Sequence, residues 1–216
     1  MNDPEKEIVR NGYNAIAARY LASRTDDSAD VELLADLEQR LPPGAKVLDA
    51  GCGAGVPIAK RLSETYSVTG VDFSEAQIGL ARQLVPRAQF VLQDITRLSF
   101  PDDSFDAICS YYAIIHIPRK EHRAILQNFF KMLRPEGLAL LCLGANDLER
   151  DVEEDYLGSR MYWSHYDSKA NLRMLREAGF HLIWTKTVAD RSAPGSAHLF
   201  VLAQKPRRDF SVSNNS

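Results

Sequence analysis

The chain has 216 residues, 45% of them hydrophobic and 25% charged, with a formal net charge of -3. That length suits one hydrophobic core with an added cap rather than two full domains, and the mild acidity excludes the clustered positive field that nucleic acids require. No apolar run approaches the roughly 20 residues of a membrane span, and residues 1–20 lack a signal-peptide core. Cys52, Cys109 and Cys142 stand without CxxC spacing or nearby histidines, so no metal site or disulfide framework is expected. The reading is a reduced, cytoplasmic protein, monomeric or homodimeric, with no nucleic-acid or membrane partner.

The spacing of Ile8, Ile16 and Tyr20, then of Val31, Leu34, Leu37 and Leu41, predicts leading helices over 8–22 and 30–41. "LPPG" at 41–44 ends the second through proline's missing N–H and glycine's freedom. Residues 1–44 thus form an N-terminal helical cap ahead of a domain over 45–205. Inside it, β-rich runs at 45–51, 67–72, 88–94, 105–112 and 137–144 alternate with helical patterns. This is the signature of an α/β fold: a Rossmann-like, seven-stranded, mostly parallel sheet with helices on both faces. "RKEHRAILQNFFKMLRPEG" (119–137) supplies one helix, with Ile125, Phe129 and Leu133 facing inward and Pro135 and Gly137 as its stop. Runs at 181–190 and 197–205 follow one another across "RSAPGS" and predict a C-terminal antiparallel hairpin. Segment 145–167 is long for a connection, and its Tyr and Trp content argues for a lid insertion rather than a solvated linker. Lys205, Arg207 and Arg208 read as solvated, and residues 206–216 as a disordered tail.

"VLDAGCGAGV" (47–56) ends the first strand and opens the next helix, the place where a parallel sheet binds ligands. Gly51, Gly53 and Gly55 exceed what a tight turn needs. A dinucleotide fingerprint wants a small residue where Val56 stands, and a pyrophosphate would meet the Asp49 carboxylate with little screening. The GKS or GKT of a phosphate-binding P-loop is absent. A cationic ligand reverses the argument, because Asp49 stabilises an ammonium while glycine backbone approaches closely. S-adenosyl-L-methionine carries an ammonium and a sulfonium and no phosphate.

On these residues the chain resembles the class I S-adenosylmethionine-dependent methyltransferases, in their small-molecule, type-11-like branch. "VTGVDFSEAQIGLAR" (68–82), "FVLQDITRLSFPDDSFDAICSYYAIIHIP" (90–118) and "LRPEGLALLCL" (133–143) extend the likeness in order. The resemblance implies that the loop of Asp49, Gly51, Cys52, Gly53 and Gly55 holds the cofactor and that Asp72 accepts both ribose hydroxyls. Ser74, in the same turn, is also a good cap for the helix that follows. Phe73 lies along the adenine by this likeness, and Gln77 takes a place where the family often has an apolar residue. Asp94 accepts from the adenine amino group, the Ile95 backbone faces the base, and Ser110 and Tyr111 contact the methionine part mostly through backbone. Tyr20 is implied as a lid residue over the cofactor.

A sulfonium is an activated electrophile, so a protein that positions the acceptor and removes water does most of what transfer requires. His116, four residues beyond Tyr112 at the mouth of the fourth strand, is the candidate base for an acceptor that must lose a proton; the alternative is a histidine bonded to backbone. Tyr13 and Tyr20, seven apart, share a helix face. Tyr162, Trp163 and His165 of the lid are candidates for stacking on an acceptor. "SYYAI" stands where nucleobase methylation motifs have NPPY. The expected activity is methyl transfer to an N, O or C atom of a small molecule; a protein or peptide substrate and a non-catalytic binding module are the alternatives.

Overall fold

The computed structural model describes residues 3–25, 27–189 and 196–207. Helix α1 (Pro4–Ser23) begins where the Asp3 carboxylate accepts the Glu5 N–H at 3.0 Å, with proline at a position whose N–H has no helical partner. The second leading helix is two short ones, α2 (Ala29–Glu32) and α3 (Leu34–Glu38), broken at Leu33. Side chains of the domain core serve this segment's carbonyls: Tyr111 donates to Asp30, Arg61 to Val31 and Tyr66 to Glu38. These tertiary bonds replace part of the helical ladder, and the break lets Leu33, Leu34 and Leu37 all bury.

The alternation then proceeds as β1 (Lys46–Ala50), α4 (Ile58–Leu62), β2 (Ser67–Asp72), α5 (Glu75–Leu84), β3 (Gln89–Leu92), β4 (Phe105–Ser110), α6 (His122–Met132) and β5 (Leu133–Gly144). After it come β6 (Leu148–Tyr156), β7 (Ser159–His165), α7 (Ser168–Glu177), β8 (His181–Ala189) and β9 (Ala197–Gln204). The main sheet has seven strands in the order β3-β2-β1-β4-β5-β9-β8, parallel from β3 to β5 and antiparallel at β9 and β8. The order reverses between β1 and β4, so a crevice opens beyond their carboxyl ends. The β8–β9 pairing is that of the expected hairpin; residues 191–195 of its turn, and 208–216 of the tail, lie outside the described residues. Strand β4 stops at Ser110, two residues early, because Tyr112 has φ 54, a left-handed conformation that no strand continues.

Both faces of the sheet are covered. Val47, Cys109, Leu140 and Phe200 point to one core, shared with α2 to α5 through Val31, Leu34, Leu62 and Ile78. Their neighbours Leu48, Ile108, Leu141 and Val201 point to the other, against Ile125, Leu126 and Phe129 of α6 and Leu175 of α7. Side chains alternate across a strand with period two, which is why the central strands read as continuous apolar runs.

Segment 145–167 holds a two-stranded antiparallel ribbon, β6–β7, which the sequence reading did not resolve into strands. Its register shifts between Leu148 and Asp151 and again between Glu153 and Tyr156, so β6 loses the strict alternation that would have announced it. Helix α1 lies on this ribbon through a small core of its own, Val9 and Ile16 against Met161 and Tyr162. Gly12 sits between them, and a Cβ there would come within 2.6 Å of the Arg160 carbonyl, so only glycine allows that approach. Among the described residues no helix is long and apolar enough to cross a membrane.

Ile16 is 1% exposed, and Ile16→Ala is expected to cost roughly 2–5 kcal/mol. Hydrogen exchange under native conditions should show residues 4–23 accelerated more than β1 or β4 in this variant; equal acceleration would mean that α1 opens only with the whole fold.

Candidate functional site

Beyond the carboxyl ends of β1, β2 and β4, one cavity is lined by Gly51, Gly53, Asp72, Phe73 and Gln77, then by Asp94, Ile95, Tyr111, Tyr112 and His116. Helix α1 closes it with Lys6, Val9, Tyr13 and Tyr20. A second cleft continues from it past Asp49, Cys52, Tyr20 and Arg24. Gly51 has φ 82, and a side chain there would collide with the Ala113 side chain. The turn is fastened from below, since Gly51 and Cys52 N–H groups donate to the Val71 carbonyl at 2.7 and 3.0 Å.

Asp49 is 1% exposed and its Oδ2 has no hydrogen-bond partner. Burial, then the nearby Asp72 charge, pushes its carboxyl up to about 7. Asp72 is itself held by backbone: Oδ2 accepts from Gly53 at 3.0 Å and Oδ1 from Ser74 at 2.9 Å. Burial raises Asp72 while these N–H bonds pull it down. Ser74 turns away from the cavity and caps α5, accepting the Gln77 N–H and donating to Asn14 Oδ1 at 2.6 Å. Gln77 faces the cavity, buried, with neither amide atom partnered.

At the far end Asp94 Oδ1 accepts the Thr96 N–H, and Lys6 of α1 reaches Asp94 Oδ2 at 3.3 Å, Thr96 Oγ1 at 2.7 Å and Glu121 Oε2 at 2.8 Å. Asn14 pins the middle of α1, accepting from Ala76 N–H and donating to Glu75.

His116 lies in a 3₁₀ turn (Ile114–His116) and joins α1 to the ribbon. Its Nδ1 is 2.8 Å from the Tyr162 carbonyl, which only accepts, so Nδ1 carries the proton and Nε2 is left to accept the Tyr13 O–H at 2.9 Å. Burial, the dominant cause, pushes the imidazole down to about 4, and burial likewise raises the Tyr13 hydroxyl well above its usual range. Rings continue outward: Tyr20 on Tyr13 at 5.1 Å, Trp163 on His116 at 5.3 Å, Tyr156 on Trp163 at 5.1 Å.

Several expected site residues lie outside these cavities. Gly55 packs on Val85 and Phe90, and the Ser110 hydroxyl donates to the Ala50 carbonyl. Tyr162 is in the α1–ribbon core, Trp163 stands behind His116, and His165 bonds the Asn146 carbonyl.

A protein-family model described as "Methyltransferase domain" matches residues 47–137. Phosphoethanolamine N-methyltransferase 1 of Arabidopsis thaliana is 35% identical over 153 residues, 66% of this chain and 30% of that protein. Residues 47–137 thus match a methyltransferase domain family. The chain spans under a third of that relative's length. Its fold is that of 1,6-didemethyltoxoflavin-N1-methyltransferase from Burkholderia thailandensis, solved with 1,6-didemethyltoxoflavin and S-adenosylhomocysteine (TM-score 0.72, 22% identity, 95% of this chain and 92% of that one). The [4+2]-cyclase SpnF shares it too (TM-score 0.70, 18% identity, 92% of this chain and 95% of that one).

The residues of this site fit S-adenosylmethionine. An orphaned buried carboxylate beside a glycine turn accepts an ammonium, and the orphaned Gln77 amide faces the same space. Sequence reading missed Lys6, Asn14 and Arg24. The period that paired Tyr13 with Tyr20 places Lys6 on the same face, seven residues earlier, and Arg24 four beyond Tyr20.

Two predictions concern pH. Asp49's proton is held more tightly in the folded than in the unfolded chain, so its contribution is present below its unfolded pKa and lost as pH rises through about 7. Without cofactor, Asp49→Asn should be more stable than wild type at pH 8, and denaturant titrations should show the gap narrowing by on the order of 2 kcal/mol at pH 5. The histidines work oppositely. His116 and His122 are both pushed down to about 4, mainly by burial, so the stability they contribute is full above their ordinary range near 6.5 and is lost as pH falls towards 4. Asp49→Asn should therefore weaken steeply over that window; a flat profile would mean both imidazoles charge freely in the native state.

Proposed function

We propose that this methyltransferase methylates an N, O or C atom of a small, uncharged acceptor, and that Tyr13 with His116 handles the acceptor's proton. The observation that carries the reading is the cover: α1, resting on the β6–β7 ribbon, closes the crevice, and the cavity below is lined by Tyr13, Tyr20, Tyr112 and neutral His116. That space suits a planar small molecule and shuts out a folded polypeptide or a nucleic acid. A phosphorylated acceptor would need a fixed cation, and Lys6 is already engaged by Asp94 and Glu121.

When bound, S-adenosylmethionine supplies a methyl carbon made electrophilic by its sulfonium. Asp49 holds the ammonium, Asp72 the ribose hydroxyls, and Phe73 and Ile95 flank the adenine. Tyr13 orients the acceptor and passes its own proton to His116 Nε2 as it takes the acceptor's. His116 stays in the required tautomer because Tyr162's carbonyl occupies Nδ1. Tyr112 completes the acceptor side, and Trp163 backs His116. The reading includes residues 1–44 as cap, 145–167 as lid, and a cytoplasmic monomer or homodimer whose three cysteines stay free and buried.

Calorimetry with S-adenosylhomocysteine should show binding, and methyl-labelled cofactor should label a metabolite extract filtered to low mass. Tyr13→Phe should lower that incorporation roughly 100-fold with S-adenosylhomocysteine affinity within about threefold. Label found only in protein would refute the small-molecule acceptor, and binding without any incorporation would make this a binding module.

A further inference from the structure

Strand β3 stands at one end of the main sheet and pairs only with β2. Gln93 N–H donates to the Asp72 carbonyl at 2.9 Å, and successive residues of a strand direct their N–H and C=O groups to opposite sides. Val91 and Gln93 therefore face β2, while Phe90 and Leu92 turn their N–H and C=O groups outward. Of these four groups, among the described residues, only the Phe90 carbonyl has a partner, the Arg82 guanidinium at 3.0 Å.

An open edge is ordinarily blunted by charge or covered. This one carries aliphatic groups: four large apolar side chains are exposed among the described residues, and three of them are Val91 and Leu92 on the strand and Leu84 at the end of α5, the helix packed on it. Arg82 and Arg87 precede the strand and Arg97 follows it, all exposed, and none of the three has an ion pair among the described residues. Asp94 is the one acid between residues 82 and 97, and Lys6 holds it. A cleft runs from the strand's end toward α1, lined by Leu92, Gln93 and Arg97. Each acid lining that cleft is already engaged: Asp3 by Lys120, Glu7 by Arg10, Glu75 by Asn14 and Asp94 by Lys6.

We propose that the β3 edge is a docking surface for another protein, which adds to the sheet an extended segment with an aliphatic centre and acidic flanks. The backbone of Phe90 and Leu92 pairs with the incoming strand, Val91 and Leu92 meet its aliphatic side chains on the two faces of the sheet, and the arginines receive its carboxylates. A second copy of this chain fits less well, because a twofold axis at β3 sets the arginines of one protomer against those of the other. A nucleic acid would use the arginines and leave the aliphatic side chains unmet.

The probe is a capped octapeptide, Val-Ile-Val-Leu between paired glutamates, added to the full chain and followed by calorimetry and amide hydrogen exchange. Controls are the same peptide with lysines for glutamates and a uridine oligonucleotide. The glutamate peptide should bind with Kd below about 1 mM, and the Phe90 and Leu92 amides should gain protection while that of Val91, already facing β2, stays unchanged. Val91→Thr/Leu92→Thr keeps strand-forming side chains; it and Arg87→Gln/Arg97→Gln should each weaken binding roughly 10-fold, with thermal unfolding unchanged as the check on folding. If wild type does not bind the glutamate peptide, if the lysine peptide binds equally, if neither variant weakens binding, or if the edge amides stay unprotected, the proposal fails. Oligonucleotide binding that the arginine variant loses would make the edge a nucleic-acid surface, and a dimer in sedimentation that the threonine variant dissolves would make the occupant a second copy; either result overturns it.

Discussion

A carboxylate oxygen buried without a partner is costly, and Asp49 Oδ2 is in that position. Backbone on β2 anchors the turn above it, Ala113 blocks any side chain at Gly51, and Asp72 adds a second negative charge nearby. The remedies are a proton, held up to about pH 7, or a cation from outside. Folding thus leaves the crevice biased in charge before any ligand arrives, and the glycine turn leaves room for that ligand's atoms to approach the backbone.

The cover over the crevice follows from the same economy of polar groups. Helix α1 is fastened along its length by side chains that would otherwise be buried unsatisfied: Lys6 at the Asp94 end, Asn14 at the start of α5, Tyr13 on His116 and Arg24 on Asp30. Its apolar contact with the ribbon joins four buried residues to partly buried neighbours such as Ile8, Val152 and Tyr156. Polar ties made at the crevice itself add to that contact, and Lys6, Tyr13 and Arg24 among them also line the site. His116 is the clearest instance, since one ring nitrogen binds the ribbon and the other binds α1.

The sheet was legible because Val47, Leu48, Ile108 and Leu141 are buried whichever way they point, so the strands stand out as unbroken apolar runs. The glycine turn and Asp49 were legible because their spacing is local. What escaped was set by contacts distant in sequence. The break at Leu33 depends on Arg61, Tyr66 and Tyr111, and β6 depends on bulges that spoil its alternation. Trp163 and Tyr162 read as acceptor contacts by composition, yet one backs His116 and the other fills the α1–ribbon core. Lys6 and Arg24 carried a periodic signal, but charged residues on a helix ordinarily face solvent, and nothing local distinguished these two.

The Lys6 cluster bears on timing. Its ammonium is shared among Asp94, Thr96 and Glu121 at the mouth through which an adenine ring would pass. On the proposed reading, exchange of spent for fresh nucleoside works against that junction, and because the Lys6 side chain is only 15% exposed, added salt screens it far less than it would a surface pair.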